Sequence, residues 1–351
     1  MATATRSDGS TFPGLPPYEG RRPVGAGAWF AGLLLLGVSV VMGCRIADVD
    51  GVTPVPQLLA FLPWLLAPTA LAVLLAALAR WRIGLVWGVL ALGAVAWYTE
   101  PYGKVSDPAG QALAELRVMT SNVEYGGATD ALIKAASRER PDLLFVQECD
   151  PGCLAALRGR LGGDYPHSSA VEEHGAAGSA ILSRTPLRRT AGIPGSTLGM
   201  PGAVAEIKGR PVRLQLAHPM PPLPGELGTW RRELDALHDF AAAGDGPTIV
   251  AGDFNATQDH AAFRRLLDTG LRDGARIADA SRTATWPAST ARLIGAQIDH
   301  VLVSEEFAAG NARFLDLGDT DHRTVVVDLT LHGTSEAARA EQGRPAAIGQ
   351  P

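Results

Sequence analysis

In the N-terminal third of the chain, uncharged apolar runs follow one another so closely that no polar face remains to meet water, and this limits what that third can become. The run from Gly25 to Cys44 contains Trp29, Phe30, Leu33 to Leu36 and Val38 to Val41. The run from Gln57 to Ala79 is also uncharged, and a shorter one from Ile83 to Tyr98 carries Trp81, Trp97 and Tyr98 at its flanks. A spanning helix takes about 20 apolar residues, with ~17–25 usual. The first two runs have that length and the third sits at its lower limit. Helices buried against a soluble core keep a polar stripe, which these runs lack. The expectation is an all-α membrane segment of three helices, at about 25–44, 57–79 and 83–98, with the second kinked by Pro63 and Pro68.

Basic residues in short loops orient such a segment. Arg21 and Arg22 precede the first run and Arg80 and Arg82 fill the turn between the last two, whereas the loop Ala47 to Pro56 holds Asp48 and Asp50. Only Arg45 dissents. The N-terminus is thus expected inside and the C-terminal part outside, giving a multi-pass protein of the cell membrane with an extracytoplasmic domain. The stretch Val41-Met42-Gly43-Cys44 loosely resembles a lipoprotein cleavage site, but Met42 fits poorly and two further runs follow. Residues 1–24, as a cytoplasmic N-terminus, and 333–351, rich in Ala, Glu and Pro, are expected to be disordered.

The formal net charge is −5, so no global basic field favours nucleic acid. Cys149 and Cys153 are close enough in sequence to pair if the domain is exported, under the severe constraint that a short loop puts on a disulfide. No second pair of Cys or His at ligand spacing accompanies them, which argues against zinc.

Residues 101–115 read as a linker and 116–332 as one α/β domain, without an internal repeat. Strands are expected at Leu116 to Ser121, Asp142 to Gln147, Ser179 to Ser183, Ala203 to Lys208, Val212 to Ala217, Thr248 to Ala251, Ile298 to Val303 and Thr324 to Leu329, and helices at Asp130 to Glu139, Thr229 to Ala242 and His260 to Leu267. Polar residues recur where strands end: Asn122, Glu148, His218, Asp253 with Asn255, Asp299 with His300, and Asp321-His322 before the last strand. Singly, each has a bland explanation as a turn former or surface residue. Together, acids, amides and imidazoles at strand ends converge on one rim of a sheet, where sites are built. Carboxylates hold a hard divalent cation, the ion polarises a phosphoryl oxygen, and an Asp–His pair supplies an acid or base near neutral pH. No G-x-S-x-G nucleophile elbow is present, which argues against acyl transfer.

These residues lie in ordered blocks: Val118 to Asn122, Pro141 to Glu148, Gly178 to Arg184, Leu216 to Pro219, Ile249 to Asn255 with its Gly-Asp-Phe-Asn, Ile298 to Leu302, and Thr320-Asp321-His322. In that order they resemble the endonuclease/exonuclease/phosphatase superfamily, which includes deoxyribonuclease I, abasic-site endonucleases, neutral sphingomyelinases and inositol phosphatases. The resemblance implies an α/β (α+β) two-sheet sandwich flanked by helices, and Mg²⁺, with Mn²⁺ as the alternative ion. It implies Glu148 as principal metal ligand with Asn122 beside it and Asp321 near the metal. It also implies Asp253 positioning the attacking water, Asn255 and His218 contacting the phosphoryl group, and Asp299 orienting His322 as general acid/base. Thr320 replaces the usual Ser, Glu124 stands near where some nucleases carry another carboxylate, and His300 replaces a frequent Tyr, with a structural role expected.

The leading expectation is a membrane-anchored, metal-dependent phosphoesterase whose partners are a phosphoester (lipid headgroup or nucleic acid) and the lipid bilayer, with no obligate protein partner. An extracellular nuclease is the alternative. A catalytically inactive membrane scaffold on the same fold ranks behind, because the expected polar residues are all present.

Overall fold

The computed structural model describes residues 25–103 and 105–333. The disorder expected at 1–24 and beyond Gly333 lies outside the described residues, as do Arg21 and Arg22.

The N-terminal segment differs from the expected three spans. Helix α1 (Ala26–Ile46) has 21 residues and is, among the described residues, the one helix long and apolar enough to cross a membrane. The second run is broken: α2 (Val55–Ala60) stops at Phe61, and a 3-10 turn (Leu62–Leu65) containing Pro63 leads into α3 (Leu66–Leu78). Pro68 lies in the first turn of α3, where a missing N–H costs no helical bond. Helix α4 (Arg82–Tyr98) has 17 residues, roughly 25 Å at 1.5 Å per residue, against a hydrocarbon thickness of ~30 Å. The three longer helices pack on one another through small residues together with buried Leu35, Val38, Met42, Leu62 and Val95. Ala31, Ala72 and Ala76 are fully buried between them, and a Cβ on Gly88 would lie 2.7 Å from Val73 Cγ2. Other large apolar side chains point outward, Trp29, Phe30, Leu78, Ile83 and Trp97 among them.

The bundle is fastened to the rest of the chain by buried polar contacts. Asp50, 1% exposed, accepts the Ala262 N–H at 2.8 Å and so caps α8 (Ala261–Leu267), whose own N-cap His260 makes no side-chain capping bond. His260 Nε2 meets the Pro56 carbonyl at 2.8 Å, Arg264 pairs with Asp48, and Arg282 grips Asp259 at 2.8 and 2.9 Å while donating to the Tyr98 carbonyl.

The remainder is a sandwich of two mixed sheets. One runs β11 (Phe307–Leu315), β12 (Thr324–His332), β1 (Ala112–Asn122), β2 (Leu143–Gln147), β4 (Ser179–Ser183), β3 (His167–Val171). The other runs β5 (Leu187–Thr190), β6 (Gly202–Ile207), β7 (Arg210–Ala217), β8 (Thr248–Asp253), β10 (Asp299–Val303), β9 (Arg272–Asp273). Helices α5 (Thr129–Glu139) and α6 (Pro151–Leu161) cover the first sheet, and α7 (Leu227–Ala242) and α8 cover the second.

Both faces of each central strand are therefore buried, which is why these strands read as continuous apolar runs. The pleat divides them: Val118, Phe145, Ile249 and Val301 enter the core between the sheets, while Met119, Leu144, Val250 and Leu302 meet the helices. The same alternation carries Asn122, His218, Asp253 and Asp299 into line with the inter-sheet rows. Since β1 and β2 are parallel, β7 and β8 are parallel, and β10 and β12 run against their neighbours, all these positions fall at one end of the sandwich.

Helix α6 and strands β3, β5 and β11 were not anticipated. The strands are edge or near-edge elements with mixed exposure, and β1 begins at Ala112, inside the stretch read as linker, where pairing with His332 rather than apolar patterning extends it.

Buried Glu233 on α7 accepts the backbone N–H groups of Thr197 and Met220, each at 2.6 Å, and so holds the loop after His218. Glu233→Ala leaves both donors without a partner and should cost about 2–5 kcal/mol in urea unfolding, with Glu233→Gln costing less; an unchanged midpoint would contradict this role.

Candidate active site

At the shared end of the sandwich, Asn122 joins the two sheets. Its Nδ2 donates to Glu148 Oε1 at 3.0 Å, from the first sheet, and to Asp253 Oδ2 at 3.2 Å, from the second. Its Oδ1 accepts the Glu124 N–H at 3.0 Å. Glu148 follows β2 with φ of 55°, a left-handed conformation that costs a non-glycine residue energy and collects at functional positions. That turn aims its carboxylate back over the sheet, where Oε2 accepts the Tyr125 N–H at 3.2 Å.

The second sheet supplies the acid–imidazole pair. Asp253 and Asp299 face each other across the β8–β10 ladder. His322 lies between them, with Nδ1 3.0 Å from Asp299 Oδ2 and Nε2 3.7 Å from Asp253 Oδ2. Asp299 is held by its backbone N–H, which donates to Thr285 Oγ1 at 3.1 Å. Gly252 is required here because a Cβ would lie 1.9 Å from the Ala217 carbonyl oxygen. His218, at the end of β7, puts Nε2 3.9 Å from Glu148 Oε1. Asn255, also left-handed with φ of 48°, donates its backbone N–H to Asp253 Oδ1 at 2.8 Å and its side-chain amide to the Pro219 carbonyl.

All eight expected residues thus lie in one contiguous cluster. Asp321 is the outermost: its side chain is 48% exposed, Oδ1 sits 3.6 Å from His322 Nε2, and Oδ2 accepts the Trp286 indole N–H at 2.8 Å. Glu124 joins the cluster by accepting the Asp321 N–H at 2.8 Å. His300, for which a structural role is expected, is buried beneath the site. Its ring bonds Asp273 at 2.9 Å and the Ala256 carbonyl at 3.0 Å and packs on Phe254 and Phe263, a structural placement. Thr285 and Trp286 had no sequence signal; they arrive through a long loop and matter only through what they touch.

Electrostatics divide the imidazoles. Burial lowers His218 to about 4, so its ring is neutral at pH 7. Burial also works against a charged His322, but the carboxylates of Asp299 and Asp253, the Asp299 hydrogen bond and then Asp321 outweigh it and raise the ring to about 10. Burial pushes Glu148 and Asp253 up from the usual carboxylate range, with only partial relief from Asn122 and His322 respectively. Such desolvated carboxylates gain from a cation.

A hard divalent ion fits this donor set. Glu148 and Asp253 offer oxygens on either side of one amide, with Asp321 and Glu124 at the rim. Asp253, Asp299 and His322 also offer atoms lying within 4.8 Å of one another. The Nδ1–H of His322 is engaged in donating to Asp299, however, and a charged imidazolium accounts for that trio without an ion, so Glu148 is the better centre for one. Cys149, next to Glu148, is disulfide-bonded to Cys153 in the first turn of α6, with Cα atoms 5.2 Å apart. The Asp150 N-cap and Pro151 start the helix at once, and this turn brings the two thiols together despite the short loop.

The sequence pattern of the Endonuclease/Exonuclease/phosphatase family matches residues 119–322. In fold the chain is similar to an endonuclease/exonuclease/phosphatase from Beutenbergia cavernae, at TM-score 0.53 and 21% identity over 63% of this chain and 73% of that one. It is also similar to humanized D. rerio TDP2, at TM-score 0.50 and 16% identity over 61% and 98%. A third likeness is to the 3′ phosphatase NExo from Neisseria bound to a product DNA hairpin, at TM-score 0.50 and 20% identity over 60% and 98%. No curated protein matches the chain. With the family pattern spanning both sheets and every block of the site, the chain belongs to the endonuclease/exonuclease/phosphatase family.

Proposed function

We propose that this protein is a divalent-metal-dependent phosphoesterase held in a membrane by its N-terminal helices. Members of its family are hydrolases of phosphoester bonds. The observation that carries the reading is the meeting of Glu148, Asp253 and the Asp299–His322 pair at one Asn122-bridged cluster. Glu148, with Asn122 beside it and Asp321 and Glu124 at the rim, would hold Mg²⁺ or Mn²⁺. Such an ion offsets phosphoryl charge and polarises the ester. Asp253 orients the attacking water, and Asn255 and neutral His218 donate hydrogen bonds to non-bridging oxygens. His322, kept protonated by Asp299, gives a proton to the leaving oxygen.

Membrane residence of the three-helix bundle is supported by its inverted burial. Small residues, Ala31, Ala72, Ala76 and Gly88, let the helices approach closely, with Leu35, Leu62 and Val95 buried beside them, while many large apolar side chains face outward, as on helices packed in lipid. The C-terminal ends of α1 and α4 and the start of the broken second run all meet the catalytic domain, while Arg80 and Arg82 turn at the opposite end. That arrangement suits a cytoplasmic Arg80/Arg82 turn and an extracytoplasmic domain, and the Cys149–Cys153 bond suits an oxidising compartment.

Glu148→Ala and His322→Ala should each lower turnover of a phosphoester by ~10²–10⁴-fold with the fold retained by circular dichroism, and EDTA should silence the enzyme until Mg²⁺ or Mn²⁺ returns. Metal-independent turnover would defeat the reading. Assays with plasmid DNA, sphingomyelin, phosphatidylinositol phosphates and p-nitrophenyl phosphates separate a nuclease from a lipid hydrolase.

A second expectation concerns pH. His322 titrates near 6.5 unfolded and about 10 folded, so its stabilisation is complete below 6.5 and is lost as pH rises through about 10. In EDTA, urea unfolding should show falling stability between those limits, by ~1.4 kcal/mol per pH unit at most, and Asp299→Asn should flatten the slope; a wild-type profile no steeper than that of the variant would rule this out.

A further inference from the structure

A cavity of about 410 Å³ opens beside the catalytic cluster, and two parts of the chain build it. Asn255 and His322 belong to its lining, so it is continuous with the site. Phe61 and neighbouring residues of the membrane segment form one wall, and Leu223 with the prolines before it forms another. Its size lies in the ~300–1,000 Å³ range of small-molecule sites.

The lining is apolar and contains no Arg or Lys. Its polar side chains are largely engaged elsewhere. His260 uses both ring nitrogens, on the Thr257 N–H at 2.9 Å and the Pro56 carbonyl at 2.8 Å. The Gln57 amide donates to the Pro222 carbonyl, which ties the two walls together. A nucleic acid strand needs cations along its phosphates and hydrogen-bonding groups for its base edges; away from Asn255 and His322, which belong to the catalytic cluster, this lining carries no cation, and Gln57 Oε1 is its one buried side-chain polar atom without a partner.

The occupant it suits is a hydrocarbon chain. The wall that carries Phe61 runs directly into the 3-10 turn at Leu62 and on into α3, whose outward face is Leu71, Leu74 and Leu78. Phe61 in turn meets the ring of Trp286 at 6.3 Å, and Trp286 donates to Asp321 beside His322. The apolar wall at Phe61 is therefore continuous in sequence with the helical bundle and touches the loop that carries Trp286 beside the acid–imidazole pair.

We propose that this cavity receives the hydrocarbon chain of an amphiphilic phosphoester, so that the substrate is a membrane lipid and the helical segment forms part of the substrate site. The proposal rests on the phosphoesterase reading above and names the substrate class of that same site. Phe61 and Leu223 contact the chain while the phosphoryl group lies at Glu148 and His322.

The test uses the full-length protein in detergent with Mg²⁺ and a series of p-nitrophenyl alkyl phosphates from ethyl to octyl. For wild type, kcat/KM should climb roughly three- to fourfold per methylene until the cavity is filled. Phe61→Ser and Leu223→Ser should each flatten that slope, and the slope rather than the absolute rate is the readout. Leu223, half exposed on a loop, provides a variant whose folding is not in question if Phe61→Ser fails to fold. A flat series in an active enzyme, a slope indifferent to both substitutions, or preferential cleavage of single-stranded DNA over the octyl ester would overturn the proposal and leave the phosphoesterase reading standing. If no ester is turned over with Mg²⁺ or Mn²⁺, that reading fails instead. The cavity is then judged by calorimetric binding of alkyl phosphonates: affinity rising with chain length and weakened by Leu223→Ser upholds it, and chain-independent binding overturns it.

Discussion

The bond pair made by the Asn122 amide is the interaction on which the site geometry depends. Its nitrogen holds Glu148, which belongs to the sheet of β1 and β2, and Asp253, which belongs to the sheet of β8 and β10. Without a neutral donor between them, buried Asp253 and part-buried Glu148 would repel across the gap between the sheets. The amide fixes their separation without adding charge, which leaves the pair's negative potential available to a cation. The apolar layer below, from Val118, Phe145, Ile249 and Val301, supplies the rigid floor from which these polar ends project.

A second constraint acts from the opposite side. Asp299 fixes the ring of His322 through Nδ1 and is itself fixed by Thr285, while Trp286 restrains Asp321. The loop carrying Thr285 and Trp286 also meets Phe61 of the helical segment. The helical segment and the catalytic domain therefore share a boundary through one aromatic contact and through the ion pairs Arg45–Asp259 and Arg264–Asp48.

Much of this was legible in the sequence, because short apolar runs that meet Asn122, His218, Asp253 and Asp299 at their ends mark the central strands and the rim where these side chains gather. The Gly-Asp-Phe-Asn stretch at 252–255 was legible as a motif, and the structure supplies the reason for its glycine, since a Cβ there would meet the Ala217 carbonyl. Edge strands β3, β5 and β11 were not, as half-exposed strands lack the continuous apolar run that marks a central one. Helix α6 carries a signal in Asp150-Pro151, an N-cap followed by proline at the first helical position. The break at Phe61 was misjudged because hydropathy averages over a run and does not register a chain that turns to meet another surface. The contacts of Asp48 and Asp50 with α8 were invisible for a related reason: two acids in a loop read as solvated charge until the partner across hundreds of residues is known.

The capping of α8 by Asp50 bears on modularity. A catalytic fragment cut free at residues 101–115 would lose the carboxylate that caps the N-terminus of α8, the carbonyl that His260 bonds, and the acceptor on Tyr98 that Arg282 uses. It would present Asp259, Arg264 and a bare hydrophobic seam to water. Gene fusions and excisions that treat the two halves as interchangeable cassettes would therefore be working against the way this chain is assembled.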